Sequence, residues 1–89
     1  MTVRHEVGDI NIEHGMTKLR EKLNNRLQQY GRGIFVSRHE ILGIIQEEMD
    51  ELNDAVRDGT SNDISEELLD IAIAAVWGYI SIQSLHTDW

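Results

Sequence analysis

The chain has 89 residues, 40% of them hydrophobic, and contains neither proline nor cysteine. This length fits a single domain, residues 1–89, and the lack of cysteine excludes disulfides, thiolate metal sites and thiol nucleophiles. The net charge of −8 argues against binding of nucleic acid polymers, which needs clustered lysine and arginine. The longest apolar run, residues 71–80, is too short to span a bilayer, so we expect a cytoplasmic protein without membrane association.

A first helix is predicted from about Ile12 to Tyr30, after an irregular N-terminal arm at residues 1–11. Its apolar residues recur at spacings of three and four, which is typical of an amphipathic helix. This stripe consists of Met16, Leu19, Leu23, Leu27 and Tyr30. Beside it, at spacings of four, lie the bases Lys18, Lys22 and Arg26. The sequence GRG at 31–33 is expected to end the helix.

A second helix is predicted to begin after Ser37, because Glu40 follows three residues later in the pattern of a capping box. Gly59 is a suitable residue to end this helix. The predicted apolar stripe consists of Ile41, Ile45, Met49, Leu52 and Val56.

A third helix is predicted from about Ile64 to Leu85, with Asp63 and Glu66 as a second capping box. It is apolar on nearly every face, and such a helix must be covered on every face. We therefore expect it to pack against a second copy of the chain, with a hetero-complex as the alternative. The predicted fold is all-α: a three-helix antiparallel bundle completed by oligomerisation.

Acidic residues are concentrated in the second and third helices, in a chain with sixteen acids and eight bases. Glu48 and Glu51 lie one helical turn apart, at the edge of the apolar stripe of the second helix. Glu67 and Asp70 have the same spacing in the third helix. Both pairs lie eight to eleven residues from Gly59, so an antiparallel hairpin would place them level with each other.

Four carboxylates that meet near a core need a counter-charge, because an unpaired buried charge costs several kcal/mol. Mg²⁺ is a suitable partner, since it takes oxygen ligands and keeps open positions for water or phosphate. From the spacing alone, the alternative of an ordinary solvated acidic face stays open.

The sequence resembles the MazG-like, all-α nucleoside triphosphate pyrophosphohydrolases, whose signature is EExxE, a gap of variable length, and then ExxD. The chain has EEMDE at 47–51 and EELLD at 66–70, with fifteen residues between Glu51 and Glu67. The resemblance covers roughly residues 37–82, about half of the chain. Each motif alone is weakly specific, but the ordered pair on a helical hairpin is fairly specific.

The resemblance implies Mg²⁺-dependent hydrolysis of a nucleoside triphosphate to the monophosphate and pyrophosphate, in the control of nucleotide pools; Mn²⁺ is the alternative cation. It implies that the metal ligands are Glu48, Glu51, Glu67 and Asp70. Glu47 would be the catalytic residue that positions the attacking water, or an auxiliary ligand. The implied partners are the nucleotide and further copies of the chain, in a dimer or tetramer.

Many members of the family have a further helix with basic residues that hold the nucleotide, whereas this chain has no Lys or Arg after Arg57. We therefore expect the phosphate-binding bases to come from the first helix or from a neighbouring subunit. The candidate substrate-binding residues are Lys18, Lys22, Arg26 and Arg38, with Trp77 as a candidate for stacking on the base. The alternative to the enzyme is a non-catalytic helical module that binds a nucleotide or a protein.

Overall fold

A computed structural model describes residues 3–84, which form three α-helices and no strand. They are α1 (Asp9–Tyr30), α2 (Arg38–Asp58) and α3 (Ser61–Gln83). The predicted all-α class and the number of helices are confirmed. The predicted end of the third helix, Leu85, lies outside the described residues. Within them, no helix is long and apolar enough to cross a membrane.

Two of the helices begin three residues before their predicted starts. α1 begins at Asp9, where an acidic residue in the first turn interacts favourably with the helix dipole. α3 begins at Ser61, because Thr60 is its N-cap: the hydroxyl accepts from the amide of Asp63 at 3.2 Å, and the Asp63 carboxylate accepts from the amide of Thr60 at 2.9 Å. The prediction that Asp63 pairs with Glu66 in a capping box is therefore wrong.

The predicted N-cap of α2 is confirmed. The Ser37 hydroxyl accepts from the amide of Glu40 at 3.1 Å. The Glu40 carboxylate accepts from the amide of Val36 at 2.9 Å, one residue before the N-cap, so it does not complete the usual pattern of a capping box. At the other end, the amide of Gly59 donates to the carbonyl of Ala55 at 2.8 Å. A Cβ atom at Gly59 would lie only 2.8 Å from that carbonyl oxygen, so the close approach at this turn requires glycine.

α3 is the central helix, and both other helices pack against it. α2 and α3 form an antiparallel hairpin across Gly59 and Thr60. α1 runs parallel to α3, because two hydrogen bonds between them, Lys22 to Glu66 and Arg26 to Asp70, join residues with the same separation of 44 positions. Trp77 of α3 and Gly33, three residues after α1, are joined at the same separation. In the described part of the chain, the backbones of α1 and α2 make no close approach to each other.

The core is small and lies along the α2–α3 seam. Ala55, Ile73 and Ala74 are its buried apolar residues, and a Cβ at Gly78 would lie 3.1 Å from the side chain of Ile41. This glycine lets the two helices approach closely.

The apolar stripe predicted for α2 is partly wrong. Met49 is 42% exposed and Val56 is 62% exposed, whereas Glu48 is half-buried and Ala55 is buried. The helix is thus rotated relative to the prediction, with Glu48 and Ala55 on its less exposed side. On α1, the two ends of the predicted stripe, Met16 and Tyr30, are also exposed.

Candidate metal centre

Four carboxylates from α2 and α3 meet at one place beside the hairpin seam. They belong to Glu48, Glu51, Glu67 and Asp70, and one oxygen of each lies within 4.8 Å of the others. We call these four residues the acidic cluster. Each helix supplies a pair at i and i+3, which share one side of the helix, and the antiparallel hairpin sets the two pairs at the same height. The structure therefore brings together the four residues that the sequence suggested as metal ligands.

The cluster contains two buried oxygens without a partner. Oε2 of Glu48 and Oε2 of Glu67 are inaccessible to solvent and have no hydrogen-bond partner among the described residues. Burial raises the pKa of Glu48, and the charges of Asp70, Glu51 and Glu67 raise it further. Burial also raises the pKa of Glu67, as do its contact with Glu51 and the charge of Asp70. Both shifts show that the folded protein disfavours full ionisation of the cluster in the absence of a cation.

The donor set of the cluster suits a hard divalent cation. All four donors are carboxylate oxygens, the ligands that Mg²⁺ and Mn²⁺ prefer. A cation there would give the buried oxygens of Glu48 and Glu67 the partner that the protein does not supply. The residues present therefore fit such an ion.

Two bases of α1 reach the cluster at Asp70. Lys22 Nζ lies 2.8 Å and Arg26 Nη2 lies 2.9 Å from Oδ1 of Asp70, and Lys22 Nζ also lies 3.0 Å from Oε2 of Glu66. Burial lowers the pKa of Lys22, but its hydrogen bonds and ionic interactions with Asp70 and Glu66 outweigh this effect and raise it. Glu66 was not among the residues predicted for the site. Its position one helical turn before Asp70 places it on the same side of α3, and this spacing could have indicated it.

A cavity of about 210 Å³ opens directly beside the cluster, between α1 and the hairpin. Most of its wall is apolar, while Arg26, Glu48 and Asp70 line its polar side. The apolar part of the wall includes Leu23, Leu27, Phe35, Ile44, Ile73 and Trp77. The indole N–H of Trp77 donates to the carbonyl of Gly33 at 2.8 Å, which fixes the ring in the wall. The guanidinium of Arg26 lies 5.8 Å from the centre of the Tyr30 ring, within the range of a cation–π contact.

Three residues suggested by the sequence lie apart from this arrangement. Glu47 is exposed and is not one of the four clustered acids, so its catalytic role stays a prediction. Lys18 is exposed and forms an ion pair with Glu21 at 3.5 Å on its own helix. Arg38 is the first residue of α2, about 15 Å along the helix axis from Glu48.

The raised pKa values predict how stability depends on pH without a cation. The unfolded chain titrates both carboxyls near the usual value of 4.5, while the folded protein holds their protons to higher pH. Their stabilising contribution is therefore complete below pH 4.5 and is lost as the pH rises through the raised values. In EDTA, we expect the melting temperature of the wild-type protein, relative to that of Glu67→Gln, to fall as the pH rises from about 4.5.

Thermal melting of both proteins across this pH range checks the prediction, and the comparison with Glu67→Gln cancels the effects of pH that the two proteins share. A difference that stays constant or rises with pH would contradict it. Millimolar Mg²⁺ is expected to reduce the fall, because a ligand that binds only the folded protein stabilises it.

A scan of protein-family models finds no match to the chain. Searches of curated proteins and of solved structures find none either. The features of the chain that indicate a function are the two acidic motifs and the geometry that they adopt.

Proposed function

We propose that the protein is a Mg²⁺-dependent nucleoside triphosphate pyrophosphohydrolase of the MazG-like type. The observation that supports this most is the acidic cluster, which the EEMDE and EELLD motifs form in the order of that family's signature. The two buried, unpartnered oxygens of the cluster support a cation there. The reaction would convert a nucleoside triphosphate and water into the monophosphate and pyrophosphate.

The residues of the cluster would hold the cation, and the bases of α1 would bind phosphate. When bound, Mg²⁺ supplies charge neutralisation for phosphate oxygens and activates water. Lys22 and Arg26 lie beside the cluster and can donate charged hydrogen bonds to a polyphosphate. Phosphoryl transfer needs mainly positioning and charge stabilisation, which these groups provide without a Ser, Cys or His nucleophile. Glu47 remains the residue proposed to position the attacking water or to act as an auxiliary ligand, and a nearby carboxylate would accept the proton of that water.

The cavity gives the rest of the nucleotide a place to bind. It adjoins the cluster through Glu48 and Asp70, and its largely apolar wall suits a flat ring. Trp77 belongs to this wall, which supports its proposed contact with the base. Lys18 and Arg38 lie further away, so a role for either would require a neighbouring subunit or a longer ligand.

The assay for this function uses the purified protein, Mg²⁺ and a panel of nucleoside and deoxynucleoside triphosphates, with pyrophosphate as the measured product. We expect release of pyrophosphate that EDTA abolishes. Glu51→Gln should lower kcat/KM at least about 100-fold, since the loss of a group that only supports a metal ligand already costs roughly 10- to 100-fold. Asp50→Asn is the matched control, because Asp50 is an exposed acid on the same helix, and it should retain activity.

A folded protein that releases no pyrophosphate from any nucleotide would exclude the enzyme. If it still binds a nucleotide, the alternative of a non-catalytic binding module is favoured. Equal loss of activity in Glu51→Gln and Asp50→Asn would show that the effect does not come from the cluster.

We also propose that the protein is a homo-oligomer, because the hairpin has an exposed apolar face on the side away from α1. On α2, the exposed residues Leu42, Met49 and Val56 recur every seven positions; on α3, so do Leu68, Ala75 and Ile82. Tyr79, 66% exposed, lies about 180° around α3 from Asp70. We call these seven residues the outer face. Apolar residues at heptad spacing are typical of helices that pack against other helices, and a second copy would pair two such hairpins in a four-helix arrangement.

A further inference from the structure

Asp70 is the acid of the cluster that already has cationic partners inside the protein. Its Oδ1 accepts from Lys22 at 2.8 Å and from Arg26 at 2.9 Å, and its side chain is 16% exposed. The two bases together carry two positive charges, the same charge as one divalent cation. They supply the cluster with part of the counter-charge that it needs, at Asp70.

These bases stand on the helix that is least firmly held. α1 has no fully buried residue, and it is followed by Gly31, whose φ of +82° gives the chain a sharp bend. Leu23 and Leu27 of α1 are only half-buried, on the wall of the cavity. The ion pairs to Asp70 and Glu66 are therefore a substantial part of what holds the middle of α1 against α3.

A divalent cation at the cluster and the two bases of α1 would repel each other. A cation bound to Asp70 would be separated from Lys22 and Arg26 by one carboxylate group, and like charges at such short range in a partly buried site interact strongly. The attraction of the bases for Asp70 would fall at the same time, because the cation would neutralise that carboxylate. Free Lys and Arg side chains beside a bound cation would then suit an anionic ligand with several oxygens.

We propose that Lys22 and Arg26 are internal counter-cations that compete with the divalent cation for the acidic cluster, and that cation binding releases them to bind a polyphosphate. This inference rests on the proposed cation site and adds an order of binding to it: the cation binds first and the polyphosphate second. The two positive charges of the divalent cation would thus replace those of Lys22 and Arg26 at the cluster, and this exchange would regulate the site.

Whether the loss of either base strengthens or weakens cation binding tests this proposal. Lys22→Met and Arg26→Met remove one competing charge each, and Arg20→Met is the matched control because Arg20 is an exposed base on the same helix. We expect each of the first two variants to bind Mn²⁺ about tenfold more tightly than the wild-type protein, measured from the electron paramagnetic resonance signal of free Mn²⁺. Arg20→Met should bind Mn²⁺ as the wild-type protein does.

The same variants should bind inorganic pyrophosphate about tenfold more weakly in saturating Mg²⁺, measured by calorimetry. The wild-type protein should bind pyrophosphate far more weakly in EDTA than in Mg²⁺. Opposite changes in the two affinities would not arise from general damage to the fold, which would weaken both.

Weaker or unchanged Mn²⁺ binding in Lys22→Met and Arg26→Met would overturn the proposal, because the bases would then orient Asp70 or play no part. Absence of cation binding by the wild-type protein would instead refute the proposed cation site itself. If a variant does not fold, hydrogen exchange in the wild-type protein decides: Mg²⁺ should speed exchange of the α1 amides around Lys22 and Arg26. Unchanged or slower exchange would overturn the release of the bases.

Discussion

Glu48→Gln is expected to raise the melting temperature of the cation-free protein and, in the same variant, to remove most cation binding and hydrolysis. The Oε2 atom of Glu48 is buried without a partner, next to three other carboxylates. A neutral amide of nearly the same shape would relieve this repulsion, and an unsatisfied buried group typically costs about 1–3 kcal/mol. A gain of about 1 kcal/mol corresponds to roughly 4–8 °C for a domain of this size.

The loss of function has the same origin. Without its charge, position 48 would be a poor ligand for a hard cation, so we expect kcat/KM for pyrophosphate release to fall by at least about 100-fold. Thermal melting in EDTA and in Mg²⁺, together with the pyrophosphate assay, measures both effects in one variant. Asp50→Asn, two residues further along the same helix, should change neither quantity appreciably.

A lower melting temperature of Glu48→Gln in EDTA would contradict the argument, because it would mean that the carboxylate stabilises the fold without a cation. An unchanged response to Mg²⁺ would remove Glu48 from the proposed site. The expected result for Glu48→Gln, higher stability with lower activity, is typical of sites where a protein holds like charges together to bind a ligand.

Tyr79→Glu is expected to dissociate the proposed oligomer. Tyr79 lies on the outer face and is 66% exposed within one copy of the chain, so the substitution should leave the fold of a single copy largely intact. In a symmetric dimer each substitution occurs twice, and an unpaired carboxylate buried in an apolar interface costs several kcal/mol. We therefore expect the dissociation constant to rise at least about 100-fold, with a clear fall in mass by light scattering at micromolar concentration.

Ile10→Glu is the matched control for this experiment. Ile10 is 85% exposed and belongs to α1, outside the outer face, so its replacement should leave the mass unchanged. A wild-type protein that is monomeric at high micromolar concentration would refute the homo-oligomer. Equal dissociation of both variants would place the interface elsewhere.

The sequence made the helices and the pairing of the acids predictable, because these depend on local spacing. Ser37 and Glu40 mark the start of α2 through neighbouring residues alone, and the helical register of Glu48 with Glu51 follows from the i, i+3 rule. The level position of the two acid pairs followed from counting residues on either side of the turn.

The rotation of α2 could not be predicted in the same way. Met49 and Glu48 are adjacent, and either could have faced α3; which one does depends on how the two helices dock. The partners of Lys22 were also hidden, since they lie 44 and 48 positions away and depend on the docking of α1. For Glu47 the sequence indicated more than the structure shows: it belongs to the EEMDE motif, but it lies outside the acidic cluster.

The turn between α2 and α3 has a consequence for the acidic cluster. Surface loops usually accept insertions, but here only Gly59 and Thr60 separate the helices, and each is fixed by a cap. One extra residue accommodated by extending α3 would shift Glu67 and Asp70 by about 1.5 Å and rotate them by roughly 100° relative to α2. The length of this surface turn therefore matters to the acidic cluster, although Gly59 lies eight or more residues along the chain from each of the four acids.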